Sequence, residues 1–150
     1  MTNSRYFEDL SVNEKFETGR RTITETDLVF FVNFMRMNNP LFTDQEYAER
    51  SIFRGRVVPG GLVFTVAMGL LDNLGLFLDT LFALLNLEMK FVLPVKVGDT
   101  LQVESVIEEK HESTKPDRGV ITLKETVLNQ EKKGVLELKR KILLKRRPRL

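Results

Sequence analysis

The period of hydrophobic positions changes near residue 85. Before it, apolar residues recur at helical spacing; after it, they alternate with polar ones. Leu28, Phe31, Val32 and Met35 share a helical face behind Thr24 and Asp27, which read as an N-cap and an acidic third position. This predicts a helix over 24–36, stopped by Asn38-Asn39-Pro40. Thr43 and Glu46 form a capping-box pattern that opens a short helix over 44–50. An opening segment at 6–10 and a strand over 15–23 precede these helices.

Between Phe53 and Gly75 a Pro-Gly-Gly turn leads into a run with no charge from Val57 to Leu71. Pro59 suits a first helical turn, where a missing N–H costs nothing. The amides of Gly60 and Gly61 then lie at the positive end of the helix dipole. Residues 62–71 are apolar except Thr65 and Gly69, which predicts a helix buried on every side. The uncharged run is 15 residues, short of the ~18–20 that span a bilayer, so a core helix is expected and a membrane span is not.

Strands are predicted over 87–92, 101–109, 120–128 and 135–145. Leu101, Val103, Ser105 and Ile107 alternate with Gln102, Glu104 and Glu108. Leu136, Leu138, Ile142 and Leu144 do the same against Glu137, Lys139, Lys141 and Lys145. Turns at Pro94…Gly98-Asp99, at 116–119 and at 130–134 separate them. The expectation is an α+β chain, one domain over 1–150, with a curled antiparallel sheet in meander order around one helix.

Composition narrows the chemistry. At 42% hydrophobic and 29% charged residues, this is an ordinary soluble globule. Cysteine is absent, so thiolate and disulfide chemistry are excluded, and with a single histidine no metal-ligand spacing exists. No apolar signal-peptide core opens the chain, and a cytoplasmic location is expected. The net charge of +2 conceals seven cations between Lys139 and Leu150, which leave the rest at about −5. Part of that tail alternates as a strand, so only Arg146, Arg147 and Arg149 form a basic tip. No aromatic residues interleave there, and nucleic acid is not an expected partner.

The Y-F-E-D-L opening, T-I-T-E-T-D-L at 22–28, N-P-L-F-T-D at 39–44, F-R-G-R-V-V-P-G-G-L at 53–62 and F-V-L-P-V-K-V-G-D at 91–99 carry a resemblance in their order and spacing. The chain resembles the MaoC-like hot-dog proteins, the group containing the (R)-specific enoyl-CoA hydratases. The resemblance implies a hot-dog sheet around a long helix and an acyl thioester of coenzyme A or acyl carrier protein as ligand, with no other cofactor. It also implies a homodimer, or a heterodimer with a related hot-dog subunit.

The family's hydratases resemble D-x-N-P-x-H at the site that Asn39-Pro40 matches. That alignment puts Met37 at the Asp position and Phe42 at the His position. Hydration of an enoyl thioester needs a base for the water and an acid for the α-carbon, and neither a thioether nor a phenyl ring transfers a proton. The dyad of the related β-hydroxyacyl-carrier-protein dehydratases would fall on Ser51 and Thr65 and is absent too. His111, in a predicted turn, reads as a loop residue.

The resemblance assigns Gly60 and Gly61 to an oxyanion hole for the thioester carbonyl, while close helix–sheet packing explains the same glycines. Asn39 joins them as a substrate-binding position. Arg54 and Arg56 read either as phosphate-binding or as solvated arginines. Asp44 and Asp72 are the nearby carboxylates able to activate a water. The sequence therefore leaves three classes open: a thioester-binding protein without hydratase chemistry, alone or as the non-catalytic member of a heteromer; a hydratase, dehydratase or thioesterase using other residues; and a structural or regulatory hot-dog dimer whose pocket is closed.

Overall fold

The computed structural model describes residues 4–148. Strand β1 (Lys15–Thr22) leads into α1 (Glu25–Phe34), α2 (Pro40–Thr43), α3 (Gln45–Glu49) and α4 (Gly60–Asp72). Strands β2 (Leu81–Phe91), β3 (Thr100–Glu112), β4 (Arg118–Leu128) and β5 (Gly134–Lys145) follow. The start of α1 is as expected: Thr24 Oγ1 accepts from the Asp27 N–H at 3.1 Å, and Asp27 Oδ2 accepts from the Thr24 N–H at 2.9 Å.

The next cap differs from the expectation. Asn39 and Pro40 open a one-turn helix of their own, with Asn39 Oδ1 accepting from the Leu41 N–H at 3.0 Å. Thr43 is the last residue of that turn, so Asp44 caps α3, its Oδ1 accepting from the Tyr47 N–H at 2.9 Å. Pro59 likewise moves one place, from the first helical turn to the N-cap of α4.

The sheet is antiparallel, in the order β1-β3-β4-β5-β2. Only β3, β4 and β5 form a meander; β2 crosses to the far edge and pairs with β5. It also starts six residues before the predicted Leu87, because Leu81, Phe82, Leu84 and Leu85 are all exposed and show no alternation. The segment after β2 runs over the end of the sheet toward β1. Its bonds are Val92 N–H to Val135 O at 2.9 Å, Val58 N–H to Val95 O at 2.7 Å, and Ile23 N–H to Asp99 O at 2.9 Å.

Helix α4 presses Leu62, Val63, Val66, Ala67 and Leu70 onto Leu101, Val103, Val127, Leu136 and Leu138 of the sheet. It is not buried on every side. Gly61, Thr65 and Gly69 recur at i, i+4 and are exposed, because five strands cover only one side of the helix. A second apolar cluster lies further along the same sheet face, where Phe7 and Leu10 cover Ile107, Ile121, Leu123, Ile142 and Leu144. Gly119 permits this: a Cβ there would lie 2.4 Å from the Phe7 ring.

Candidate functional site

The start of α4 is open in the way the glycines suggested. The Pro59 carbonyl accepts from the Leu62 and Val63 N–H groups at 2.9 and 3.3 Å. The N–H groups of Gly60 and Gly61 meet no acceptor among the described residues, as expected of a helical first turn. Beside them lies a cavity of about 520 Å3, lined by Phe42, Phe53, Gly60, Val63, Phe91 and Pro94 among others. None of its lining residues is titratable. Packing constrains the glycines as well: a Cβ on Gly60 would fall 2.6 Å from the Phe91 ring, and one on Gly61 would fall 3.2 Å from Phe31.

Of the two positions that the resemblance assigns to a dyad, Phe42 lines this cavity and Met37 does not. Met37 is half-buried on the turn after α1, its N–H bonded to Val32 O at 3.0 Å. Asn39 is spent on capping α2. Ser51 and Thr65 are also committed locally: Ser51 Oγ donates to Ala48 O at 2.6 Å, and Thr65 Oγ1 to Gly61 O at 2.7 Å.

Arg56 is held by Glu25 at 2.8 Å and by Gln45 at 3.1 Å, bracing α1 against α3. Arg54 is exposed at φ +54°, where Lys96 Nζ bonds its carbonyl at 3.4 Å and that of Phe53 at 2.5 Å. Asp44 is exposed and serves as a cap, and Asp72 is exposed at the far end of α4. His111 belongs to β3 rather than to a turn, paired with Val120. Its Nε2 lies 2.9 Å from Glu109 Oε2, and it does not line the cavity at Gly60. Of the basic tip, Arg146 and Arg147 are ion-paired to Glu8 and Asp9, while Arg149 lies outside the described residues.

The description "MaoC like domain" matches residues 9–129 of this chain. The chain belongs to the MaoC-like domain family. It is 35% identical over 107 residues to protein MaoC of Klebsiella aerogenes, covering 71% of this chain and 31% of that protein. It is 28% identical over 100 residues to an (R)-specific enoyl-CoA hydratase of Rhodospirillum rubrum, covering 64% of this chain and 65% of that one. The matches therefore span less than two thirds of each of these relatives. The crystal structure of a monoamine oxidase regulatory protein from Archaeoglobus fulgidus superposes with a TM-score of 0.91 at 32% identity, covering 97% of each chain. A Mycobacterium tuberculosis protein with a double hot-dog fold matches at TM-score 0.87 and 23% identity, covering 100% of this chain and 47% of that chain. The architecture is the hot-dog fold, and this MaoC-like chain is related to (R)-specific enoyl-CoA hydratases.

This MaoC-like domain also holds a polar group that sequence reasoning missed. Ser105, Glu125 and Arg140 occupy inward-facing register positions between the two apolar clusters. Arg140 Nε and Nη2 donate to Glu125 at 2.7 and 2.5 Å, and Ser105 Oγ donates to it at 3.3 Å. The signal was present in the sequence: Arg140 falls on the parity of Leu138 and Ile142, and Glu125 on that of Leu123 and Val127.

Proposed function

We propose that this MaoC-like domain binds an acyl thioester, of coenzyme A or of an acyl carrier protein, at the start of α4 and does not itself hydrate it. The observation that carries this reading is the cavity beside Gly60, whose wall contains no group able to give or take a proton. The unpaired N–H groups of Gly60 and Gly61 supply donors for a carbonyl oxygen, and the apolar wall suits an acyl chain. The domain then acts as a binding module, or as the non-catalytic member of a pair whose other hot-dog subunit brings the acid and base. Strand β2 supports a paired state: it is an edge strand of 11 residues with a row of exposed apolar side chains.

The test is a titration with acyl-CoA run beside a crotonyl-CoA hydration assay on the purified protein. Binding without turnover is expected. Turnover well above the uncatalysed rate would overturn the reading in favour of an enzyme using other residues. As a second measurement, the paired substitution Met37→Asp and Phe42→His should confer measurable hydration. A well-folded paired variant that binds acyl-CoA and remains wholly inactive would count against these as the dyad positions.

A further inference from the structure

A second cavity, of about 440 Å3, opens at the opposite end of α4 from the glycines. The first cavity touches α4 at Gly60 and Val63 and the second from Met68 to Asp72, so at ~1.5 Å per residue they are centred roughly 13 Å apart along its axis. Met68, Leu71, Leu76, Phe77, Leu84 and Ile142 supply most of the apolar wall. Ser105, Glu125 and Arg140 stand in the same wall, and exposed Asp72 also lines the cavity.

Fold stability gives no reason for an ion pair at this place. The Glu125 side chain is 0% exposed and that of Arg140 is 14% exposed. Replacing such a pair with apolar residues of similar volume is commonly neutral or stabilising, since desolvation offsets the attraction. Here apolar residues would also join two clusters that the polar trio keeps apart. The guanidinium is half used: Nε and Nη2 are occupied by Glu125, while Nη1 donates to no described residue. Ser105 Oγ has spent its proton on Glu125 and keeps lone pairs free to accept.

We propose that this cavity is a second ligand site, separate from the glycine turn, for a neutral aliphatic molecule carrying one hydroxyl or carbonyl oxygen. The oxygen accepts from Arg140 Nη1, a hydroxyl additionally donates to Ser105 or Glu125, and the chain lies against Met68, Leu71 and Phe77. A carboxylate is rejected. Glu125 already neutralises Arg140, and a second anion would face both Glu125 and Asp72 without a free cation.

The experiment titrates 1-octanol, 2-octanone and octanoate into the intact 15N-labelled protein and follows backbone amide shifts. The alcohol and the ketone should saturate and move amides over 68–77 and around Ser105 and Arg140, leaving 57–63 unmoved. Octanoate should bind at least tenfold more weakly at neutral pH. The paired substitution Glu125→Leu and Arg140→Met should lower affinity for the alcohol and the ketone tenfold or more. Saturable shifts confined to 57–63, octanoate binding as well as octanol, or no saturable binding by the native protein would each overturn the proposal. So would a folded Glu125→Leu/Arg140→Met variant that binds octanol unchanged. Acyl-CoA binding at the glycine turn is read separately, so neither site's failure imitates the other's.

Discussion

Phe42 and Gly60 face one cavity, so an acyl group bound there as proposed would meet a hydrocarbon ring at position 42 rather than a proton donor. The local chemistry around it is structural. Asn39, Asp44, Ser51 and Thr65 each spend their side chain on a nearby backbone group, and Arg56 spends its charge on Glu25. Thr24 is the clearest case for measurement. Thr24→Ala removes the acceptor for the Asp27 N–H, and denaturant unfolding should show a loss of about 1 kcal/mol, the usual worth of a cap. Met37 and Phe42 could be singled out in the sequence because a motif with fixed spacing crosses them. Strand parity places Ser105, Glu125 and Arg140 inward, but that they meet was not legible, because pairing across three strands brings them together.

At the scale of elements, α1 and the three meander strands could be read from period, α3 from a capping pattern and α4 from its uncharged run, while the one-turn α2 was not expected. Strand β2 could be read only over 87–91. Alternation marks a strand with one wet and one dry face, whereas Leu81, Phe82, Leu84 and Leu85 in its first half are apolar and exposed on both. What hid the strand also makes it adhesive. Its outer edge presents ladder groups without a neighbour, framed by Leu85 and Met89 at 52% and 45% exposure. Leu85→Lys with Met89→Lys should convert a paired species to a monomer in light scattering. If the native protein is paired and the variant keeps its full mass, edge pairing through β2 is wrong. If the native chain is monomeric alone, the same edge should pair only when a related hot-dog subunit is added.

For the whole molecule, residues 6–9 and 146–147 are tied across the sheet. Arg146 Nε donates to Glu8 at 2.7 Å, Arg147 Nη2 to Asp9 at 2.7 Å, and the Arg147 guanidinium lies 5.1 Å from the Tyr6 ring centroid. The hydrogen bond from Arg147 holds the Asp9 carboxyl below its ordinary 3.8. Burial pushes Glu8 up, but bonds from Arg146 and the Arg147 backbone outweigh it and leave Glu8 below 4.5. Both folded values are depressed, so this stabilisation is fully present above about pH 4.5 and fades as pH falls through the folded values. Comparing thermal midpoints of the native protein and Arg147→Gln should show a gap at pH 6 that closes toward pH 3. A gap independent of pH would show that the arginine acts through its packing on Tyr6 instead.

That clasp has a topological consequence. Residues separated by 138 positions in sequence are hydrogen-bonded neighbours, so the first and last described segments lie side by side. A short polar linker could join residue 148 to residue 4, and the cut could move to the exposed Thr114–Pro116 turn between β3 and β4. Such a circular permutant keeps every strand pairing while losing one hairpin connection, and it should fold to the same circular dichroism spectrum. The order in which this chain is threaded is then separable from the shape it makes.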